Sequence, residues 1–141
     1  MSDPYNPFEK AECLTQQALE KIARYGFGVV IATKSDLVVR DIPILQRIRF
    51  QSPVAVHITI TTAGDMLSEK IEPFAPPSSR RFEALRALSG AGITTGVLLM
   101  PVLPWITDDP QNIREIVQKA ARAGVKYVFN GGNKMFGLTM R

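Results

Sequence analysis

Hydrophobic positions along the chain alternate between a helical spacing and short continuous runs. Residues 14–24 place apolar side chains at helical spacing, and residues 27–33 form an almost unbroken apolar, β-branched run. Such a run is typical of a strand buried on both faces of a parallel sheet. We expect Thr15 to cap the helix and Gly26 to end it. The first unit is therefore a helix followed by a strand.

The same unit recurs three more times, with a short helical turn expected around residues 66–71. Strands alternating with helices predict parallel strands joined by right-handed crossovers. We therefore predict one α/β domain over residues 1–141 with about four parallel strands. Periodicity alone leaves two arrangements open, a doubly wound sheet and a partial TIM-like (β/α) barrel. The further predicted strands cover residues 54–60, 93–100 and 125–129.

Composition narrows the class of protein. The chain has 141 residues, 45% of them hydrophobic, which suffices for one domain with a core. No apolar run approaches the roughly 20 residues of a membrane helix, and the first residues do not resemble a signal peptide. We expect a cytoplasmic protein with no membrane partner. Cys13 is the only cysteine, so an internal disulfide and a four-cysteine metal site are both excluded.

The net charge is +4 and the pI is about 9.5. The basic residues are dispersed along the chain, without a block of like charge. This balance permits contact with a phosphate-rich partner but does not demand one. Nucleic acid is therefore a possible partner on charge grounds.

Candidate ligand-binding residues follow the predicted strands, because parallel α/β folds bind ligands beyond the carboxyl ends of their strands. Lys34 follows the first strand and suits a carboxylate or phosphate. The alternative is a surface lysine paired with Asp36 or Asp41. Thr59 and Thr61 share one strand face and could bind ligand hydroxyl groups, or they are simply good strand formers.

Other residues carry more ambiguous signals. His57, the only histidine, lies mid-strand, so we expect a packed, hydrogen-bonded side chain rather than a catalyst. Arg80 and Arg81 begin a predicted helix, where positive charge opposes the helix dipole. One of them should therefore be held by an anion, either Glu72 or a ligand. Trp105 could stack on a base or anchor its loop.

Five short motifs occur in a fixed order along the chain. They are residues 3–9 (DPYNPFE), 33–35 with 40–42 (TKS and RDI), 58–62 (ITITT), 72–76 with 81–85 (EPFAP and RFEAL) and 100–104 (MPVLP). Each motif is weak alone, but the ordered set spans nearly the whole chain. It resembles the radical S-adenosylmethionine (SAM) proteins related to spore photoproduct lyase, also called DNA repair photolyase-like.

The resemblance implies a partial TIM barrel in which a CxxxCxxC loop holds a [4Fe–4S] cluster. That cluster cleaves SAM reductively to a 5′-deoxyadenosyl radical, and the present chain would be the central and C-terminal part of the barrel. Tyr5 would then lie at the end of a preceding strand. The resemblance places Lys34, Ser35, Thr59, Thr61, Arg81, Met100 and Pro101 at the cofactor, and Tyr5 and Lys34 at the substrate.

One departure from the family is decisive, because CxxxCxxC does not occur and Cys13 is not its remnant. We therefore expect SAM and the cluster in a full-length parent enzyme, and neither cofactor nor activity in this chain alone. A barrel fragment would also expose a parallel strand edge, which predicts self-association. Two alternatives remain: a non-catalytic α/β binding module, and an unrelated α/β enzyme using Lys34 as nucleophile or electrostatic clamp.

Overall fold

The computed structural model describes residues 3–131 and the strand backbone of residues 135–137. Helices and strands alternate along most of this length. The helices are α1 Glu9–Glu12, α2 Leu14–Tyr25, a 3-10 helix Asp36–Asp41, α3 Ile42–Arg49, α4 Asp65–Ile71, α5 Ser78–Gly90 and α6 Pro110–Arg122. The strands are β1 Val29–Thr33, β2 Val54–Thr59, β3 Thr94–Leu98, β4 Tyr127–Phe129 and β5 Met135–Gly137.

The strands form one sheet in the order β1-β2-β3-β4-β5. The first four strands are parallel, so the predicted α/β fold with four parallel strands is confirmed. The short strand β5 runs antiparallel to β4 at the far edge of the sheet. The outer edge of β1 pairs with no other described strand.

The hydrophobic core lies between the sheet and helices on one of its faces. Strand residues Val56, Val97 and Val128 point into this core, where they meet Leu45 of α3 and Leu85 of α5. Sequential parallel strands joined by crossovers of one hand place every crossover helix on the same side. No helix among the described residues is long and apolar enough to cross a bilayer.

The opposite face of the sheet carries no second layer of described helices. Along β1, Ile31 and Thr33 are buried, whereas Ala32 is exposed and Val30 is 69% exposed. The prediction that this strand is buried on both faces is therefore wrong. Its apolar run resembled a two-sided strand, but only the helix-facing side is covered. We call the uncovered side the open face.

The start of α2 also differs from the prediction, whereas its end does not. Thr15 does not cap the helix; its hydroxyl donates to the carbonyl of Pro4 at 2.5 Å. The carboxylate of Glu9 instead accepts from the backbone N–H groups of Thr15 and Gln16 at 2.8 and 3.2 Å. The short helix α1 brings this carboxylate to the free amides of α2. Gly26 ends the helix in the left-handed conformation, as predicted.

Candidate functional site

A cleft of about 850 Å³ opens at the carboxyl end of β1. Its walls come from three stretches that are distant in sequence. They are residues 3–10 at the N-terminal turns and the start of α1, residues 34–40 after β1, and residues 71–76 at the end of α4 and in the loop that follows. Tyr5, Lys34 and Ser35 all line this cleft, together with Arg80. The position agrees with the general placement of ligands in parallel α/β folds.

The carboxylate of Asp3 ties the N-terminal turns to the end of β1. One oxygen accepts from the Thr33 hydroxyl at 2.6 Å and from the Tyr5 amide at 2.9 Å. The other accepts from the backbone amide of Lys34 at 2.8 Å. The Ser35 hydroxyl accepts from an amide at the start of the 3-10 helix. These bonds fix the backbone from which the Lys34 side chain extends.

Lys34, Glu72 and Arg81 form a charged row at the base of the cleft. The Lys34 ammonium lies 2.7 Å from one carboxylate oxygen of Glu72, and Arg81 Nη1 lies 2.6 Å from the other. Arg81 also donates from Nε to the carbonyl of Pro76 at 2.6 Å and from Nη1 to the carbonyl of Thr59 at 3.0 Å. The row therefore connects the end of β2 to the cleft.

These contacts decide between several predicted ion pairs. Burial acts to raise the pKa of Glu72, but hydrogen bonds from Lys34 and Arg81 outweigh it, so this pKa is lowered. The prediction that one arginine of the pair is held by Glu72 is confirmed for Arg81. Arg80 pairs with Asp36 instead. Lys34 is paired, but with Glu72 rather than with either aspartate considered from the sequence.

Tyr5 belongs to a second charged cluster beside the cleft. Its hydroxyl donates to a carboxylate oxygen of Asp41 at 3.0 Å, and Arg40 joins that aspartate to Glu9. Burial and the negative charge of Asp41 raise the pKa of Tyr5, so the phenol stays protonated. Bonds to Asp3 hold residues 3–6 in a turn that contains Tyr5. The preceding strand that the resemblance implies lies outside the described residues.

Three predicted site residues lie away from the cleft. Thr61 is buried, and its carbonyl accepts from the Asn112 side chain at 3.0 Å. Met100 packs against Gly131, and Pro101 follows it through a cis peptide bond. The structure thus brings Tyr5, Lys34 and Ser35 together, with Arg81 and Thr59 behind them. It does not bring Thr61, Met100 or Pro101 into the same cleft.

His57 lies on the open face and is hydrogen-bonded, as predicted. Its Nε2 bonds the hydroxyl of Tyr127, with the two ring centroids 5.5 Å apart. Gly96 lies between them in the sheet register, and the two rings close over its missing side chain. Burial lowers the pKa of His57. We call His57 and Tyr127 the open-face dyad.

Sequence reasoning missed Asp3 and Asp41 as organising groups of the site. They act over 30 and 36 residues of sequence, on Thr33 and Tyr5 respectively, so no local pattern marks them. The available signal was compositional: an aspartate two residues ahead of Tyr5 suits a turn. Tyr127 was missed as well, although the isolated Gly96 inside a strand signals close approach of another group.

The [4Fe–4S] cluster of the resembling family does not fit the residues described. Cys13 is the sole cysteine of the sequence, and its thiol lies 3.8 Å from Arg40. Within residues 3–131, no three histidine, cysteine, aspartate or glutamate side chains are grouped to hold a metal ion. Ligands for such a cluster would have to come from outside this part of the chain.

Comparison with known proteins finds relatives without an assigned role. No protein-family model and no solved structure matches the chain. An uncharacterized protein of Methanocaldococcus jannaschii is 35% identical over 108 residues, covering 77% of this chain and 40% of the relative. An uncharacterized protein of Mycobacterium tuberculosis is 29% identical over 140 residues, covering 99% of this chain and 40% of the relative. An uncharacterized protein of Acidianus two-tailed virus is 32% identical over 135 residues, covering 90% of this chain and 42% of the relative. The chain thus spans about 40% of the length of these relatives.

Proposed function

We propose that this chain is one segment of a radical SAM enzyme of the spore-photoproduct-lyase-like group, and that its cleft holds an anionic group of SAM or of the substrate. One observation carries this proposal. Three motif stretches that are distant in sequence, residues 3–9, 33–42 and 72–76, border the same cleft.

The sheet supports the barrel part of the proposal. Parallel strands in sequential order, with every crossover helix on one side, are what a (β/α) barrel requires. The open face would then line the barrel interior, and residues 1–141 would form its central and C-terminal part. The greater length of the relatives supports further strands elsewhere in such a protein. In the free chain, the bare edge of β1 would promote self-association.

Residues of the cleft would bind and orient the ligand. The Lys34 side chain is 41% exposed at the cleft and suits the carboxylate of SAM or a substrate phosphate. Asp3 fixes its backbone, and Arg81 and Glu72 set the charge behind it. The net charge of +4 is compatible with a phosphate-bearing substrate, nucleic acid among them. Cluster ligands are not among these residues, so this chain alone would bind without catalysing.

A non-catalytic binding module is the second candidate, and the titration of the cleft favours it over acid–base catalysis. The pKa of Tyr5 is raised and that of Glu72 is lowered, so neither side chain exchanges a proton near neutral pH. A nucleophilic Lys34 has less support. Its amino nitrogen lies 2.7 Å from the Glu72 carboxylate and would have to leave this contact to attack a ligand.

Anaerobic reconstitution with iron and sulfide tests the proposal. The chain and a version extended upstream would be compared by visible absorption and by release of 5′-deoxyadenosine. We expect the extended protein alone to assemble the cluster and cleave SAM. A Lys34→Ala variant should keep the absorption but bind SAM at least about tenfold more weakly. Lys21→Ala, an exposed position on α2, is the matched control. A colourless extended protein would leave the binding module as the better account.

A further inference from the structure

The charged row contains more positive than negative charge. Two cations, Lys34 and Arg81, contact the two oxygens of a single carboxylate, Glu72, at 2.7 and 2.6 Å. One carboxylate supplies one negative charge, so the pair of cations is only half neutralised. A partly buried cation without its full counter-charge is unfavourable. The row is therefore better matched to an anion with two charges.

Arg81 has an unsatisfied donor. The residue is fully buried, and its Nε and Nη1 atoms bond to Pro76, Thr59 and Glu72. Its Nη2 is buried and has no hydrogen-bond partner among the described residues. A guanidinium carries five N–H groups, and leaving a buried one unmet is unfavourable. A ligand oxygen that took the place of the Glu72 carboxylate would meet the same guanidinium.

Glu72 occupies a loop whose middle has little apolar contact with the core. It follows the last residue of α4, and the loop of residues 72–77 leads directly to α5. Phe74, in the middle of that loop, is 98% exposed and contributes nothing to the core. Outward movement of the loop would therefore uncover little additional apolar surface. Glu72 also lines the cleft, so a ligand there reaches its carboxylate directly.

The charges along the cleft indicate which kind of ligand would replace the Glu72 carboxylate. Its lining includes the cations Lys10, Lys34, Arg40 and Arg80 and the anions Asp3, Asp36 and Glu72. Arg40 is already paired with Asp41 and Glu9, and Arg80 with Asp36. If the Glu72 carboxylate moves out, Lys34 and Arg81 therefore have no carboxylate partner among the described residues. A phosphate monoester carries about −1.5 to −2 at pH 7 and offers three acceptor oxygens. A carboxylate carries only one charge.

We propose that Glu72 is a displaceable internal counter-ion, and that a phosphate monoester binds the cleft by taking its place between Lys34 and Arg81. This inference rests on the proposed function only in taking the cleft as the ligand site, and it does not require the cluster. It assigns the ligand chemistry of that site. It also explains why a buried arginine retains an unmet donor beside a carboxylate that is already bound.

Calorimetric titration of the full chain with inorganic phosphate tests the exchange. We expect saturable binding to the wild-type protein, and about tenfold tighter binding to Glu72→Gln if Glu72 occupies the cation pair about 90% of the time. Lys34→Ala should weaken binding by at least about tenfold. Sodium acetate at equal ionic strength is the control for a singly charged anion. No phosphate binding by the wild type, or unchanged or weaker binding by a folded Glu72→Gln, would overturn the inference.

A second measurement covers the case in which Glu72→Gln does not fold. The side-chain carboxyl ¹³C resonance of Glu72 is followed in the wild-type protein as phosphate is added. Displacement predicts a saturable shift of this resonance with the same dissociation constant. A resonance that does not move while phosphate binds would mean that Glu72 is a fixed structural anchor.

Oligonucleotides with and without a 5′-phosphate distinguish the sources of the phosphate. A terminal monoester should strengthen binding, whereas equal binding of both would mean contact with backbone diesters and would contradict the inference. Both tests need no iron. If phosphate displaces Glu72 but the extended protein releases no 5′-deoxyadenosine, only the radical SAM proposal is refuted. If the extended protein releases 5′-deoxyadenosine but phosphate does not displace Glu72, only the exchange is refuted.

Discussion

The open-face dyad offers a quantitative test of the sheet geometry. A Cβ atom on Gly96 would lie 2.6 Å from Cε2 and 2.9 Å from Cζ of Tyr127, and 2.8 Å from Cδ2 of His57. Both rings would have to move apart, so Gly96→Ala should incur an overpacking penalty of about 1–3 kcal/mol. Loss of the His57–Tyr127 hydrogen bond adds about 1 kcal/mol of destabilisation. Alanine is about 0.5–1 kcal/mol more favourable than glycine inside a strand, which offsets part of this loss. The net expectation is a destabilisation of about 1–3 kcal/mol.

Urea denaturation measures this change as a shift in the midpoint at constant slope. Gly90→Ala is the matched control, because a Cβ there meets nothing within 4 Å; at this last residue of α5, alanine should be neutral or stabilising by up to about 1 kcal/mol. The same Gly96 substitution in a Tyr127→Ala background should be at least about 1 kcal/mol less destabilising, because the main obstacle is gone. Equal destabilisation in both backgrounds, or a stable Gly96→Ala protein, would refute the close packing described.

Three further predictions concern the fold and its surface. Glu9→Gln removes the negative charge that binds the first amides of α2 and pairs with Arg40. Thermal denaturation should therefore show a free energy of unfolding lower by about 1–3 kcal/mol, and a fall in melting temperature of less than about 2 °C would contradict this. Burial lowers the folded pKa of His57, so the unfolded chain binds more protons as pH falls through about 6.5. Stability in urea should therefore decline from pH 7.5 to 5.5, and less steeply in His57→Gln; parallel curves for both proteins would argue against it. Val30→Lys, on the exposed side of the edge strand, should reduce self-association in sedimentation velocity, and a wild-type monomer at all concentrations would disprove association.

Much of the fold was predictable because its signals are local. Apolar β-branched runs marked the four parallel strands, and glycine at position 26 marked a helix end with a left-handed backbone. What the runs could not show is which faces are covered. The apolar sequence of β1 does not distinguish a strand packed on one side from a strand packed on both sides. Val30 is exposed because no described helix covers its side of the sheet.

Some residues of the candidate site could likewise be predicted from local sequence, and others could not. A positive residue at a helix start has a local physical cost, and this predicted that Arg80 or Arg81 would be held by an anion. Lys34 was predicted from its position after a strand. Asp3 could not be placed, because its bonds to Thr33 depend on how the chain folds back over 30 residues. The partner of His57 is 70 residues away and was equally out of reach.

The most direct test of the account is to locate the bound ligand on the molecule. The ¹⁵N-labelled chain would be titrated with SAM and, separately, with inorganic phosphate, and amide shifts would be followed by NMR. We predict that at least one of the two ligands causes saturable shifts at the cleft amides of Lys34, Ser35 and Glu72, with those of Gly96 and Tyr127 on the open face unchanged. Shifts confined to the open face, or none with either ligand at millimolar concentration, would contradict the claim that this cleft is the ligand-binding site.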